Sequence, residues 1–375
     1  MHVLIPALHR PTKPTGVCRH AVNLAQSLAI CDRISRITLV VGEWQRAYFE
    51  QVFNLENSKI DLISVDINNS SLSRNQWFIF GLPKLSQSLQ PDMIHMSFPF
   101  PFVRKWFKAP IVSTIHDLYP YECPENFGYP QVLFNQLFLQ QCIANSDGLS
   151  CVSKITLDAL KLYFPKADTN KKTAVIYNCV DFRAVTPQAP KGELFAEENW
   201  SFILCIAQHR KNKNLDLLIQ AYHLLVKAGD IQPSTRLVLV GSSGPETSTV
   251  ETLIQTLQLQ EQVILLSALT DEELCWLYQA CLLFVIPSST EGFCLPLAEA
   301  VSLACPVVCS DISIFREVGS SSCTYFSLEG DTVNNLAEAM RSILNASKSP
   351  QLLMDPRFSR ETIGQQLLDF YELWV

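Results

Sequence analysis

Short apolar runs recur along the first half of the chain, at Val3–Leu8, Arg36–Val41, Ile60–Val65, Met93–Met96, Ile111–Ile115, Gly148–Val152 and Ala174–Tyr177. Amphipathic stretches separate them. Brief apolar runs suit strands buried on both faces and the longer stretches suit crossover helices, so the alternation predicts a sheet built largely from β-α units. Between the first two runs, Val17, Ala21, Leu24, Ala25 and Leu28 fall at helical spacing and predict a helix over Gly16–Ala29. The segment Val185–Trp200 holds two prolines, one glycine and four charges, and reads as a linker. After it the pattern restarts. Strands are predicted at Phe202–Ala207, Arg236–Gly241, Val263–Leu266, Leu282–Pro287 and Pro306–Ser310. Helices are predicted at Leu215–Lys227, Glu251–Leu259 and Asp271–Ala280, the last with Asp271 as its N-cap. Both parts, 1–185 and 186–358, therefore read as doubly wound α/β domains. In such sheets ligands bind outside the carboxyl ends of the strands, so two facing each other put a cleft between them.

Composition narrows the class. A chain of 375 residues, 48% hydrophobic and 17% charged, is globular, and its length suits two domains with cores of their own. Its 13 cysteines include no C-x-x-C pair, which argues against a disulfide framework or a zinc ribbon. No apolar run approaches the roughly 18 residues of a spanning helix, and no leader-like segment precedes Val3. A reduced, cytoplasmic compartment is expected. Charge is uneven: residues 1–185 carry 18 Lys and Arg against 14 Asp and Glu, whereas 186–375 carry 11 against 22. That suits an ordinary solvated surface or, more sharply, a first domain that meets an anionic partner such as a lipid phosphate. No basic stripe interleaved with stacking aromatics occurs, so no nucleic acid is expected. Only 13 glycines is few for an α/β enzyme.

The most informative segment is Pro287–Ala300, PSSTEGFCLPLAEA. It follows a buried-type strand, passes through a small polar loop and enters a helix whose first turn accepts Pro296, at N1, without losing a hydrogen bond. The amides of Phe293–Leu297 are then expected free at a helix N-terminus, where a phosphate is favoured. Glu291 and Glu299 are eight residues apart, about 80° out of line on a continuous helix. With one in the loop and the other in the helix, both can reach a single ligand. Carboxylates accept hydrogen bonds from hydroxyls, and a polyhydroxylated ligand beside a phosphate is a nucleotide sugar. Two glutamates in a loop with incidental charges would be the plainer account.

The ordered string Pro-Ser-x-x-Glu-Gly-Phe-x-Leu-Pro-x-x-Glu-Ala resembles the E-x7-E signature of the retaining glycosyltransferases of family 4, which have the two-domain GT-B fold. Other segments share the resemblance along almost the whole chain. Thr15-Gly16, opening the first helix, resembles the family's first loop, where glycine lets the backbone approach the donor diphosphate or the acceptor. Val112–Pro120, VSTIHDLYP, resembles the Thr-x-His-Asp segment and places His116 against the transferred sugar. Val152-Ser153-Lys154 and Tyr177–Asp181 match two further landmarks, taken as structural. In Ala207–Leu215, AQHRKNKNL, Lys213 and a displaced Arg210 would neutralise the diphosphate, while Ala207 or Gln208 stands where the family has arginine. Gly241, after its strand, resembles the loop near the nucleotide. The resemblance places Glu291 on the sugar hydroxyls, Glu299 on the ribose, and Gly292, Phe293, Cys294 and Leu295 near sugar and phosphate. It also implies that the final helix, about 359–375, packs back on the first domain. Thr15, Cys179, Cys294 and Ala304 stand where the family has glycine.

The reaction implied is transfer of a hexose-type sugar from a nucleotide-sugar donor to a hydroxyl of a saccharide or lipid-linked acceptor, with retention, in polysaccharide or glycolipid assembly. No Asp-x-Asp and no metal-spaced cluster occurs, so no cofactor and no obligatory metal are expected, the cations and helix amides neutralising the phosphates. The alternative is a catalytically impaired GT-B protein that binds the nucleotide sugar or serves as a partner subunit. For the acceptor side, Ser97–Pro110, SFPFPFVRKWFKAP, mixes aromatics with Arg104, Lys105 and Lys108. This stretch suits either a core segment with solvated cations or a peripheral contact with the inner face of the membrane.

Overall fold

The computed structural model describes residues 1–10, 12, 15–53, 55–124, 127–191, 201–232, 234–345 and 355–375. The chain divides into two compact units: Met1–Cys179 together with Pro356–Val375, and Val180–Asp355. Both are doubly wound α/β structures of the GT-B kind. The 192–200 part of the expected linker lies outside the described residues. Before it, the Gln188 amide donates to the Glu272 carbonyl within the second unit.

The first unit holds β1 (His2–Pro6), β2 (Arg36–Gly42), β3 (Ile60–Val65), β4 (Met93–Met96), β5 (Ile111–Ile115), β6 (Gly148–Cys151) and β7 (Lys172–Val175) in the order β3-β2-β1-β4-β5-β6-β7. The neighbours are parallel throughout, and the order reverses where Val3 of β1 lies opposite Met93 of β4. Central strands of such a sheet are covered on both faces, which is why β4 and β5 are wholly buried, with His95, Ser113 and Thr114 as their buried polar residues. The second unit holds β8 (Phe202–Ile206), β9 (Arg236–Val240), β10 (Val263–Leu266), β11 (Leu283–Ile286), β12 (Val307–Ser310) and β13 (Cys323–Phe326), ordered β10-β9-β8-β11-β12-β13. Its switch point lies between β8 and β11.

Several expected boundaries shift for physical reasons. Ala7 and Leu8 continue the first apolar run because they stay buried beyond the end of β1. The expected helix at Glu251–Leu259 instead spans Thr247–Thr256, and Gln258 beyond it turns to φ +57°. Asp271 is not the N-cap of its helix. Thr270 is: its hydroxyl accepts from the Glu273 amide at 3.3 Å, and the Glu273 carboxylate accepts from the Thr270 amide at 2.9 Å, a closed capping box.

The final helix, Arg360–Tyr371, belongs to the first unit. Ser359 caps it by accepting from the Thr362 amide at 3.2 Å. Leu367 and Tyr371 are fully buried in the core beside the helix Gly16–Ala29. Gly364 permits that approach, since a Cβ there would stand 2.2 Å from the Ser27 carbonyl oxygen.

Candidate functional site

In the second unit, the loops leaving β8 and β11 flank the switch point. Asn214, at φ +48°, uses the tolerance of Asn for the left-handed region. Its side chain donates to the Pro287 carbonyl at 2.8 Å, Asn212 donates to the Thr290 carbonyl at 3.1 Å, and the Ser289 amide donates to the Asn212 carbonyl at 2.9 Å. These bonds tie the two loops and bring Lys213 to Glu291. Lys213 Nζ lies 2.5 Å from Glu291 Oε1, and Ser288 Oγ donates to the same oxygen at 2.9 Å. The side chains are only 15% and 10% exposed. Arg210 precedes the turn Lys211–Lys213 and is half-buried, its carbonyl accepting from the Lys213 amide at 3.0 Å.

Glu299 lies on the helix Leu295–Ser302 and is buried. Its Oε2 accepts from the Tyr278 hydroxyl at 2.8 Å. Burial, with the Glu299 charge, pushes the Tyr278 phenol well above its usual range, so it stays a donor. Cys294 caps the helix at φ +70°. Burial, then the Glu291 charge, raises its thiol well above the ordinary value, so it serves as a small filler in a left-handed position. Pro296 is the second helical residue rather than the first. The expected run of free amides over Phe293–Leu297 is also shorter: Pro296 has none, and the Leu297 amide donates to the Cys294 carbonyl at 3.1 Å. Phe293 is buried, while Gly292 and Leu295 are half-buried. Gly241 has a packing reason of its own, because a Cβ there would stand 1.9 Å from the Ala207 carbonyl oxygen.

In the first unit, His116 leaves the end of β5. Its Nε2 lies 2.9 Å from the Ser97 carbonyl oxygen, which only accepts, so the ring proton sits on Nε2 and Nδ1 keeps a lone pair. Burial lowers its pKa, opposed by the bond to Ser97. His20 meets it edge-on, ring centroids 4.5 Å apart. His20 in turn bonds Asn178 Oδ1 at 2.7 Å and Thr114 Oγ1 at 3.2 Å. Thr114 Oγ1 is also 2.7 Å from Nε2 of His95, whose Nδ1 meets the Tyr371 hydroxyl of the final helix. His9 lies beside Phe98 and Phe100 at the end of β1. Burial holds His9 and His95 down to about 3 and His20 well below its usual value, so all three are neutral. Gly16 is exposed at the start of the helix that carries His20.

The structure thus joins Lys213 with Glu291 and gives Glu299 a buried donor in Tyr278. Sequence reasoning missed His9, His20, His95, Thr114, Asn178, Tyr278 and Tyr371. Asn178, taken as structural, orients His20, and the only local signal for it was its place in the string Tyr177–Asp181. Among the described residues, no group of three or more His, Cys, Asp or Glu could hold a metal ion. No helix among them is long and apolar enough to cross a membrane.

Comparison with known proteins gives two matching family models: Glycosyltransferase Family 4 over residues 14–183 and Glycosyl transferases group 1 over residues 189–354. The O-antigen chain mannosyltransferase B of Escherichia coli is 26% identical over 334 residues, covering 81% of each chain. Among solved structures, Anabaena HepE in complex with UDP and glucose aligns with a TM-score of 0.69 at 18% identity, covering 99% of each chain. The sucrose-phosphate synthase of Thermosynechococcus elongatus aligns with a TM-score of 0.72 at 17% identity, over 99% of this chain and 98% of the other.

Proposed function

Because the chain is a GT-B glycosyltransferase of group 1, we propose that it moves a hexose-type sugar from a nucleotide sugar to a hydroxyl of a saccharide or lipid-linked acceptor, with retention, in polysaccharide or glycolipid assembly. The observation that carries the reading is the pair Lys213–Glu291 at the switch point of the second sheet. One cation and one carboxylate side by side can meet a phosphate on one side and sugar hydroxyls on the other. Arg210 adds a second cation for the diphosphate, Glu299 takes the ribose, and His116 faces the transferred sugar. The relative's name, an O-antigen mannosyltransferase, supports a hexose donor and a glycan product.

The step is a same-face substitution. The bond from the anomeric carbon to the phosphate oxygen breaks, and the bond to the acceptor oxygen forms on the same face. The departing phosphate takes the acceptor's proton. Lys213 and Arg210 stabilise the charge growing on the phosphate, so the reaction requires no metal. His116, neutral through burial and held by Ser97, orients rather than titrates. The protein otherwise contributes positioning.

The test is release of nucleoside diphosphate from a panel of UDP-, GDP- and ADP-hexoses in the presence of candidate acceptors, with and without a chelator. The anomeric configuration of the product is then read by NMR. Release by the native chain, lost in Glu291→Gln, is expected. An inverted product would overturn retention. Donor binding without release from any donor and acceptor offered would favour the catalytically impaired alternative.

A further inference from the structure

The aromatic and basic stretch 97–110 does not behave as one surface. Phe102 and Phe107 are buried, and Phe100 stacks on Phe78 with ring centroids 3.9 Å apart. Arg104 is committed to Asp147, at 2.7 Å. What remains outside is Lys105, Trp106 and Lys108, and the fold adds to them a second segment that the sequence does not mark. In the turn Trp77–Gly81, Trp77 and Phe78 enter the core while Phe80 turns outward. Phe80 is 56% exposed and Trp106 38%, and their ring centroids are 5.7 Å apart. The next helix, Leu82–Leu89, presents Lys84 and Gln87 beside them.

These side chains line an open groove of about 720 Å³ that no carboxylate borders. The shortage of acid is wider than the groove. Between Ile67 and His116 the sequence holds one acidic residue, Asp92, against Arg74, Lys84, Arg104, Lys105 and Lys108. Asp92 is engaged elsewhere, accepting from the His2 amide at 2.7 Å. Lys84, Lys105 and Lys108 are exposed and form no ion pair among the described residues. Two adjacent half-exposed aromatics cost solvation unless something covers them. Aromatic rings with lysines around them match the boundary of a bilayer, where rings enter the headgroup layer and cations meet lipid phosphates.

We propose that the groove formed by Phe80, Lys84, Lys105, Trp106 and Lys108 is a docking surface for an anionic phospholipid bilayer. The rings of Phe80 and Trp106 anchor it and the three lysines supply the charge match. Docking would hold the first unit at the surface where a lipid-linked acceptor resides, yet it uses none of the residues assigned to sugar transfer. The two readings therefore fail separately.

The test is co-sedimentation of the intact protein with vesicles of phosphatidylcholine containing 30% phosphatidylglycerol, against vesicles of phosphatidylcholine alone, at low and high salt. Binding to the anionic vesicles, weakened by salt and absent from the neutral ones, is expected. Each of Lys84→Gln, Lys105→Gln and Lys108→Gln should lower the partition coefficient about fivefold, and Phe80→Ser with Trp106→Ser should abolish binding. Thermal melts and released nucleoside diphosphate should match the native chain in all of these variants. No binding at low salt overturns the proposal. So does undiminished binding by the triple lysine variant, which would place the contact elsewhere.

Discussion

Lys213 and Glu291, 78 residues apart in sequence, share a contact of 2.5 Å between Nζ and Oε1, with Ser288 donating to the same carboxylate oxygen. Each member keeps the other's charge compensated in a place with little solvent. Glu291→Ala and Lys213→Ala should each cost about 1–3 kcal/mol of stability. The double variant should lose less than the sum, which urea melts of the three proteins would show. Turnover should fall about 100- to 1000-fold in either single variant if the pair serves the transition state. A double variant that loses the full sum of the two single losses would mean the contact contributes nothing.

Tyr278 donates to Glu299 from a fully enclosed position. Tyr278→Phe keeps the ring and removes the hydrogen bond, about 1.5–3 kcal/mol for a bond to a charged group. If Glu299 holds the ribose, KM for the donor should rise roughly tenfold or more while kcat changes little. A fall in kcat at constant KM would assign Glu299 to the chemical step instead.

His9 and His95 stay neutral in the folded chain down to about pH 3, whereas their unfolded pKa is the ordinary 6.5. Between those values the unfolded chain binds the extra protons. Stability is therefore fully present above pH 6.5 and is lost as pH falls, by about 2 kcal/mol for each histidine at pH 5. Melts between pH 7 and 5 should show this slope, and His95→Gln should flatten it. An unchanged slope would mean that His95 is charged in the folded state.

Ala304 sits at φ +56°, a conformation that disfavours a Cβ. Ala304→Gly should stabilise by about 0.5–1 kcal/mol, the relief of the left-handed strain less the greater freedom of the unfolded glycine. Cys294→Gly should gain less, because Cys294 is buried and its removal leaves a void. Differential scanning of the two variants checks the order.

Strands β3, β4, β5 and β10 have the bounds their predominantly apolar runs predict. Strand β13 escaped because its Cys-Thr-Tyr-Phe, with only Phe326 buried, mixes polar and apolar residues too briefly to form a run. The helix Gln131–Asn145 escaped for a related reason, since Leu133, Phe134 and Leu137 are exposed and blur any apolar face. In the candidate site, Glu291 and Lys213 were legible because each lies in a short loop after a strand. His116 was marked only by its resemblance to the Thr-x-His-Asp segment, and His9, His20 and His95 were not marked at all. His20, His95 and His116 come from three separate elements and meet only through Thr114 and ring contact, so no spacing announces them. The scarcity of glycine acquires a backbone meaning at two sites, Cys294 and Ala304, which hold positive φ where the family has glycine.

The first unit is made of the beginning and the end of the chain, with Tyr371 reaching His95 and Gly364 lying against Ser27. During synthesis its seven strands emerge early but must wait, their face beside the helix Gly16–Ala29 uncovered, until Arg360–Tyr371 has left the ribosome. The second unit is contiguous and can close as soon as it is made. Order of translation and order of completion are thus inverted, and a released chain cut after residue 355 would carry a whole second unit behind a first unit lacking its last helix.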